Sequence, residues 1–355
     1  MNKKILISLS VIGAVAAIVI GGTAAWFSDT ETSTGNTFTA GTIDISVNDQ
    51  NPWSQSFTMK DMKPDYTDYI NFTIQNFGSN PNPVDVYKHL IIEKEETGAQ
   101  TEPECTEELG TWDNSQKKCT GMTAENNNIS EAILYDLYVK VHNSSGELIW
   151  WQAIYTEDVT VAQIACKDIY LGMIPAGGWM EVKQSYHMNK DTTNWAQGDI
   201  MTFSIEVKAE QIQGNAVLEN KTLPDGGQGP WKIVHDDIHG TLTYKVKNPT
   251  FDFSFSGKAP LGSTKYVLAA GMKSTATGYD VDIYLGEGTS GGDGTISFSG
   301  NIDLGKDMKD VKVWLIPSTY WDDSAKEVKW TNWPSMVAEF LWETGLIWYD
   351  DTDVI

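Results

Sequence analysis

Positive charge is what this sequence has least of. Lys and Arg together number 25 against 48 Asp and Glu, a formal charge of −23 over 355 residues. Such a chain repels nucleic-acid phosphates rather than releasing their counterions, which excludes a nucleic-acid partner. Acidic self-repulsion keeps an exported protein soluble instead. Histidine is scarce as well: His89, His142, His187, His235 and His239 are the five present. No HExxH occurs, so two zinc-binding histidines with a glutamate base are not laid out on one helix. No GxSxG elbow exists for a serine nucleophile. The twelve-residue EF-hand spacing is absent. After Ile20 no apolar run approaches the roughly 20 residues needed to span a bilayer. No internal repeat stands out, no cofactor motif appears, and the chain reads as a non-enzyme with no catalytic, cofactor or metal set.

What is present begins with an address. Lys3 and Lys4 precede an unbroken apolar run from Ile5 to Ile20; Gly21 and Gly22 break it, and Thr23-Ala24-Ala25 offers small residues. This is the layout of a secretory signal, with cleavage expected between Ala25 and Trp26. The membrane is then met only through the segment before cleavage. A retained anchor is the alternative, although the run is barely long enough. A pilin-type cut before the apolar run lacks a small residue at Lys4-Ile5. Removing residues 1–25 makes the chain more acidic by two charges, and the expected location is extracellular or at the cell surface.

The remainder is long enough for two domains, and 41% apolar residues with 14 Trp and 14 Tyr can fill their cores. Residues 26–37, WFSDTETSTGNT, form a polar arm led by Trp26 and Phe27. An apolar leader on an exported chain fits an arm that adds a strand to a neighbour's sheet; a frayed terminus is the plainer alternative. From Phe38 to Val47 the residues Ile43, Ile45 and Val47 alternate with Asp44 and Ser46, the period of a half-buried strand. Phe57 and Met59 mark a short strand. Lys63-Pro64-Asp65 is a turn, and Ile70, Phe72 and Ile74 alternate beyond it. Strands are also expected over 84–92, 134–142, 147–155, 179–187 and 201–211, with a short helix near 159–166.

Residues 97–128 interrupt this pattern with a polar insert holding Cys105 and Cys119, with thirteen residues between them. In an exported chain a disulfide between them is the expected reading, over a metal pair without nearby histidine. Such a loop is worth roughly 3 kcal/mol in the chain-entropy account. Cys166, among apolar neighbours, is expected to be a buried thiol.

Two stretches carry a resemblance. TFTAGTIDI at Thr37–Ile45 and MKPDYTDYINFTIQNFGS at Met62–Ser79, followed by IPAGG and NWAQGDIMTFSIEVKAEQ near residues 174–211, resemble the TasA and camelysin family. The likeness covers about residues 20–211, with a larger middle section than the shortest members. It implies an antiparallel jelly roll over residues 38–222, processing by a dedicated signal peptidase, and self-association into surface or biofilm-matrix fibres through the arm. Camelysin also carries a metallopeptidase label, for which this sequence offers no ligand set.

LPDGGQGP at Leu223–Pro230 reads as a linker. Beyond it, residues 231–355 run as short strands: Leu242, Tyr244 and Val246 alternate, as do Phe251, Phe253 and Phe255 and then Val311, Val313 and Leu315. A second β-sandwich is expected, so the fold class is all-β throughout. Met336, Val337, Phe340 and Leu341 have helical spacing. Tryptophans 314, 321, 330, 333, 342 and 348 invite a glycan-stacking role in a monomeric adhesin, set against ordinary core packing. His235 and His239, and the acidic pairs Asp236-Asp237, Asp322-Asp323 and Asp350-Asp351, are the metal or calcium alternatives.

Overall fold

The computed structural model describes residues 28–31 and 43–354, except 54, 61, 65, 79–82, 97–98, 100, 123–127, 197, 224–229, 274–279 and 331–333. The expected signal, its Ala25–Trp26 junction, Phe27 and most of the arm lie outside the described residues.

The first body contains β1 (Ser28–Glu31), β2 (Ile45–Val47), β3 (Ser56–Met59), β4 (Thr67–Asn76), β5 (Val84–Glu95), β6 (Thr111–Asp113), β7 (Lys118–Thr120), β8 (Ile133–His142), β9 (Leu148–Thr160), β10 (Asp168–Ile174), β11 (Trp179–Met188) and β12 (Met201–Gln211). One sheet runs β3-β12-β5-β10, and the facing sheet runs β4-β11-β8-β9. Numbered in chain order as eight strands, these are 1-8-3-6 and 2-7-4-5, the paired Greek keys of a jelly roll. β2 extends the second sheet beside β4, and β1 joins the first beside β12.

Alternation drives this arrangement. On β12, Met201, Phe203, Ile205, Val207 and Ala209 are buried, while the residues between them are only partly covered. Ile45, Ile74, Val86, Val139, Val182 and Phe203 meet in one core drawn from both sheets. Phe57 on β3 stacks on Phe203 with ring centres 5.5 Å apart.

The insert folds into α1 (Glu102–Glu107) and the β6–β7 hairpin, tied by a Cys105–Cys119 disulfide. Gly110 sits against both sulfurs, where a Cβ would collide with them. Helices α2 (Ile129–Ala132) and α3 (Val161–Ile164) flank β8 and β9. Cys166 corrects the expectation of a buried thiol. It follows α3 at a positive φ of 59° and is exposed, because the turn swings it away from buried Ile164.

The rest of the chain adds β13 (Asn215–Glu219), β14 (Lys221–Thr222), β15 (Trp231–Ile233), β16 (His239–Tyr244), β17 (Lys247–Asn248), β18 (Phe251–Lys258), β19 (Lys265–Lys273), β20 (Asp280–Thr289), β21 (Thr295–Ile302), β22 (Met308–Pro317), β23 (Trp321–Asp322), β24 (Glu327–Val328), β25 (Leu341–Glu343) and β26 (Ile347–Asp351). Most of these form one ten-stranded sheet. It buries Phe251, Phe253 and Phe255 of β18 with Tyr266 and Leu268 of β19 and Val313 and Leu315 of β22 in a second core. β13 precedes the expected linker yet pairs with β16 and β25 in this sheet, while β15, after the linker, pairs parallel with β9 of the jelly roll. The strands of the two bodies therefore interleave around residues 215–233.

The tryptophans sort by packing. Trp314, Trp321 and Trp342 are buried with Met336, Val337 and Phe340 in a third cluster. Gly271 makes room for the Trp314 indole, which a Cβ there would strike. The spacing read as a helix in the tail becomes a 3-10 turn, Ser335–Glu339, running into β25. Truncating Phe203 to Ala should cost about 3–5 kcal/mol, read as a fall in the urea midpoint at unchanged slope, because its ring spans the jelly-roll core.

Candidate functional site: the outer edge of the last jelly-roll strand

β12 is paired along its full length on one side by β5, from Met201 opposite Glu95 to Gln211 opposite Val84. Its other side is covered in two pieces. β3 pairs with Met201–Ser204, and β1 pairs with Val207–Glu210, both antiparallel. The first jelly-roll strand is thus too short to cover the last one. A four-residue piece of the N-terminal arm takes the remaining edge, with Ser28 opposite Glu210 and Glu31 opposite Val207. Unpaired backbone groups on such an edge are a template for any extended chain. The arm expected to reach a neighbour therefore has, in its described part, a partner in its own chain.

The edge is acidic. Glu210 lies opposite both Ser28 and Asp85 in the strand register. Asp85 is buried and accepts a 2.9 Å hydrogen bond from the Tyr170 hydroxyl. Burial first, and then the Glu210 charge, push its carboxyl up to about 7. Glu210 is itself paired with Lys208.

Between the sheets lies a polar group that the sequence reading passed over. Lys88 sits on the core-facing side of β5, fully buried. Its Nζ contacts the Tyr135 hydroxyl of β8 and Gln184 Oε1 of β11, and lies 4.5 Å from the centre of the Tyr135 ring. Tyr135 donates to Gln184 Oε1 at 2.7 Å. Burial drives the Lys88 amine well below its usual range and the Tyr135 phenol well above its own. The signal was present in VDVYKHL, where a lysine interrupts the inward-facing Val84, Val86 and Leu90.

The histidines are dispersed. His89 pairs with Asp168 at 2.9 Å; His142 stacks on Trp179; His187 bonds Asp136 at 2.6 Å and Thr67 at 2.8 Å. His235 bonds the Ile154 carbonyl at 2.7 Å and stacks on Tyr155, while His239 stands exposed on β16. The acidic pairs have turn duties. Asp322 accepts from the amides of Ser324 and Ala325, Asp323 pairs with Lys326 at 2.6 Å, and Asp237 pairs with Lys258. Among the described residues no three His, Cys, Asp or Glu side chains are grouped to hold a metal.

A further feature lies between the two bodies: a cleft of about 810 Å³, lined by Trp151, Trp231, Trp330, Lys221, Lys312 and Glu343 among others. Trp330 is 43% exposed there. Lys221 is buried and donates to the Glu343 carbonyl, and the Trp314 indole donates to the Glu343 carboxylate at 2.9 Å.

The Asp85 environment generates a pH signature. The folded state keeps a proton that the unfolded chain releases near 3.8, so stability falls as pH rises from about 4 to about 7. Asp85→Asn should flatten that fall by up to roughly 4 kcal/mol in urea titrations across the range. The residual slope belongs to Asp199 and Glu219, which burial also raises to about 7, and to Asp310, which burial raises to about 6.

No curated protein matches the chain. Among solved structures, a calcium binding mutant of Bacteroides uniformis beta-glucuronidase 2 aligns at 8% identity with a TM-score of 0.16, over 77% of this chain and 32% of that one. This chain thus spans about a third of that structure's length. A family model described as camelysin metallo-endopeptidase matches residues 1–216, which takes in the whole jelly roll. By that match the chain belongs to the camelysin metallo-endopeptidase family.

Proposed function

We propose that the chain is an exported structural subunit that assembles into surface or matrix fibres by exchanging its N-terminal arm between neighbours. One observation carries this reading: the outer side of β12 is completed over Val207–Glu210 by β1, a strand of only four residues from the arm. Its sequence, SDTE, is polar, and the strand pairing that places it on the edge is one that a second copy's arm can make equally well. Exchange of an identical element between copies is domain swapping, and an arm passed in one direction propagates as an open filament. Deleting residues 26–37 should abolish fibres in electron micrographs of the purified protein and leave a folded monomer. Unchanged fibres from the truncated chain would remove the proposal.

A second reading, a monomeric cell-surface adhesin, draws on the cleft between the bodies, where Trp330 is exposed beside Trp151 and Trp231. Indole faces stack on sugar rings, and Lys312 and Glu327 at the rim can bond hydroxyls. Soluble host or matrix oligosaccharides titrated against the full chain test it. Binding weakened about tenfold or more by Trp330→Ala favours the adhesin, and no heat on titration removes it.

The family's description as a metallo-endopeptidase implies a catalytic metal. Four of the five histidines stand on separate strands and His235 lies on the connection between β15 and β16, and the described residues do not fit such a centre. No catalytic step is assigned to them.

A further inference from the structure

The Lys88 group has no part in edge pairing or in the cleft, and its cost to the fold calls for a reason. A buried amine is expensive unless compensated, and an apolar residue of similar volume is often as stable or more so. Here the amine touches the side-chain amide of Gln184 in a space closed to water: Lys88 and Tyr135 are fully buried and Gln184 is 1% exposed. Gln184 Oε1 receives the Tyr135 hydroxyl at 2.7 Å as well as the Lys88 Nζ. The amide nitrogen, Nε2, is buried with no hydrogen-bond partner among the described residues. Nitrogen nucleophile, polarised carbonyl and unheld leaving group therefore sit together, on three strands drawn from both sheets.

We propose that Lys88 and Gln184 form an intramolecular isopeptide bond that joins β5 of one jelly-roll sheet to β11 of the other. An exposed lysine would be protonated and inert towards an amide. Burial holds the Lys88 amine in its neutral, nucleophilic form. The Tyr135 hydroxyl, kept as a phenol by the same burial, donates to the oxygen on which negative charge develops. Contact with Oε1 leaves the carbonyl carbon one bond away, and holding the two groups in place substitutes for an effective concentration on the order of 10⁵ M or more.

The step balances without oxidant or cofactor. The Lys88 Nζ lone pair attacks Gln184 Cδ and forms a C–N bond. The Cδ–Nε2 bond breaks. In the tetrahedral intermediate Nζ and Nε2 share the same carbon, and one proton passes from Nζ to the departing Nε2, with a second Nζ hydrogen retained on the new amide, while the Tyr135 hydroxyl stays on Oε1. One ammonia departs, and its loss makes the reaction irreversible in practice. A covalent tie between the two sheets resists their separation under load, whether or not the chain assembles.

The test is the intact mass of the full chain, purified and denatured, set against the mass calculated from its own observed N-terminus and the Cys105–Cys119 disulfide. The wild type should be lighter by one ammonia, and a protease digest should contain a branched peptide joining the Lys88 and Gln184 segments. Lys88→Met, which fills the site with an apolar side chain, and Gln184→Met should both show the full mass. Tyr135→Phe keeps the ring and removes the hydroxyl. It should give a mixture in which the full-mass form dominates early and declines slowly. A wild-type chain at full mass with no branched peptide after prolonged incubation would overturn the proposal. So would an ammonia loss that persists in Lys88→Met, since that would come from another residue.

Discussion

The structure depends on how the backbone of Met201–Gln211 is satisfied on both sides. A central strand that buries Phe203, Ile205 and Val207 against the opposite sheet cannot leave one flank bare without inviting other chains. On the β5 flank the pairing is continuous. On the other flank a short first strand covers one half and a piece of the arm covers the rest. A fold that closes its own sheet with an N-terminal segment of four polar residues holds that closure by only a short run of strand pairing. The same economy that lets one chain close itself lets two chains close each other.

The deeper layers of the molecule are held in a different way. The jelly roll and the second body do not meet as beads on a string: Asn215–Glu219 belongs to the second sheet, while Trp231–Ile233 returns to pair beside β9. Leu346 and Trp348 of the tail pack against the jelly-roll core. Load applied to one body is thereby passed to the other through paired strands and shared packing rather than through a slack connector. A bond between β5 and β11 would extend the same property into the jelly roll, adding a covalent tie to the packing and hydrogen bonds that join the sheets.

Much of this was legible in the residues. The alternation in Ile70–Ile74 and Met201–Gln211 gave strands in the right places, because a half-buried strand must alternate, whereas the strand expected over Phe38–Val47 is seen only as Ile45–Val47, buried on both faces, with residues 38–42 outside the described residues. The cysteine spacing gave the disulfide. The self-pairing of Ser28–Glu31 was not legible, since four polar residues carry no periodic apolar signal and pairing partners lie far away in the chain. Asn215–Glu219 joined the second sheet for the same reason: its partners in β16 and β25 lie beyond the glycine-rich stretch taken as a boundary. Cys166 was misread because its neighbours are apolar in sequence, whereas a left-handed turn decides which way the thiol points. Lys88 was visible as a breach of the inward pattern of β5, yet its meaning rests on Tyr135 and Gln184, which only the fold brings to it.

The central claim, that the arm can close a neighbour's sheet as it closes its own, is most directly tested by trapping the Ser28–Glu210 pair in the strand register. With exposed Cys166 changed to Ser, one preparation would carry Ser28→Cys and a second Glu210→Cys. The two are mixed under assembly conditions and oxidised. The account predicts disulfide-linked pairs containing one chain of each kind in the assembled fraction, and none in the monomer fraction. Links that form only when both cysteines are placed on the same chain, in assembled material as in monomer, would contradict it.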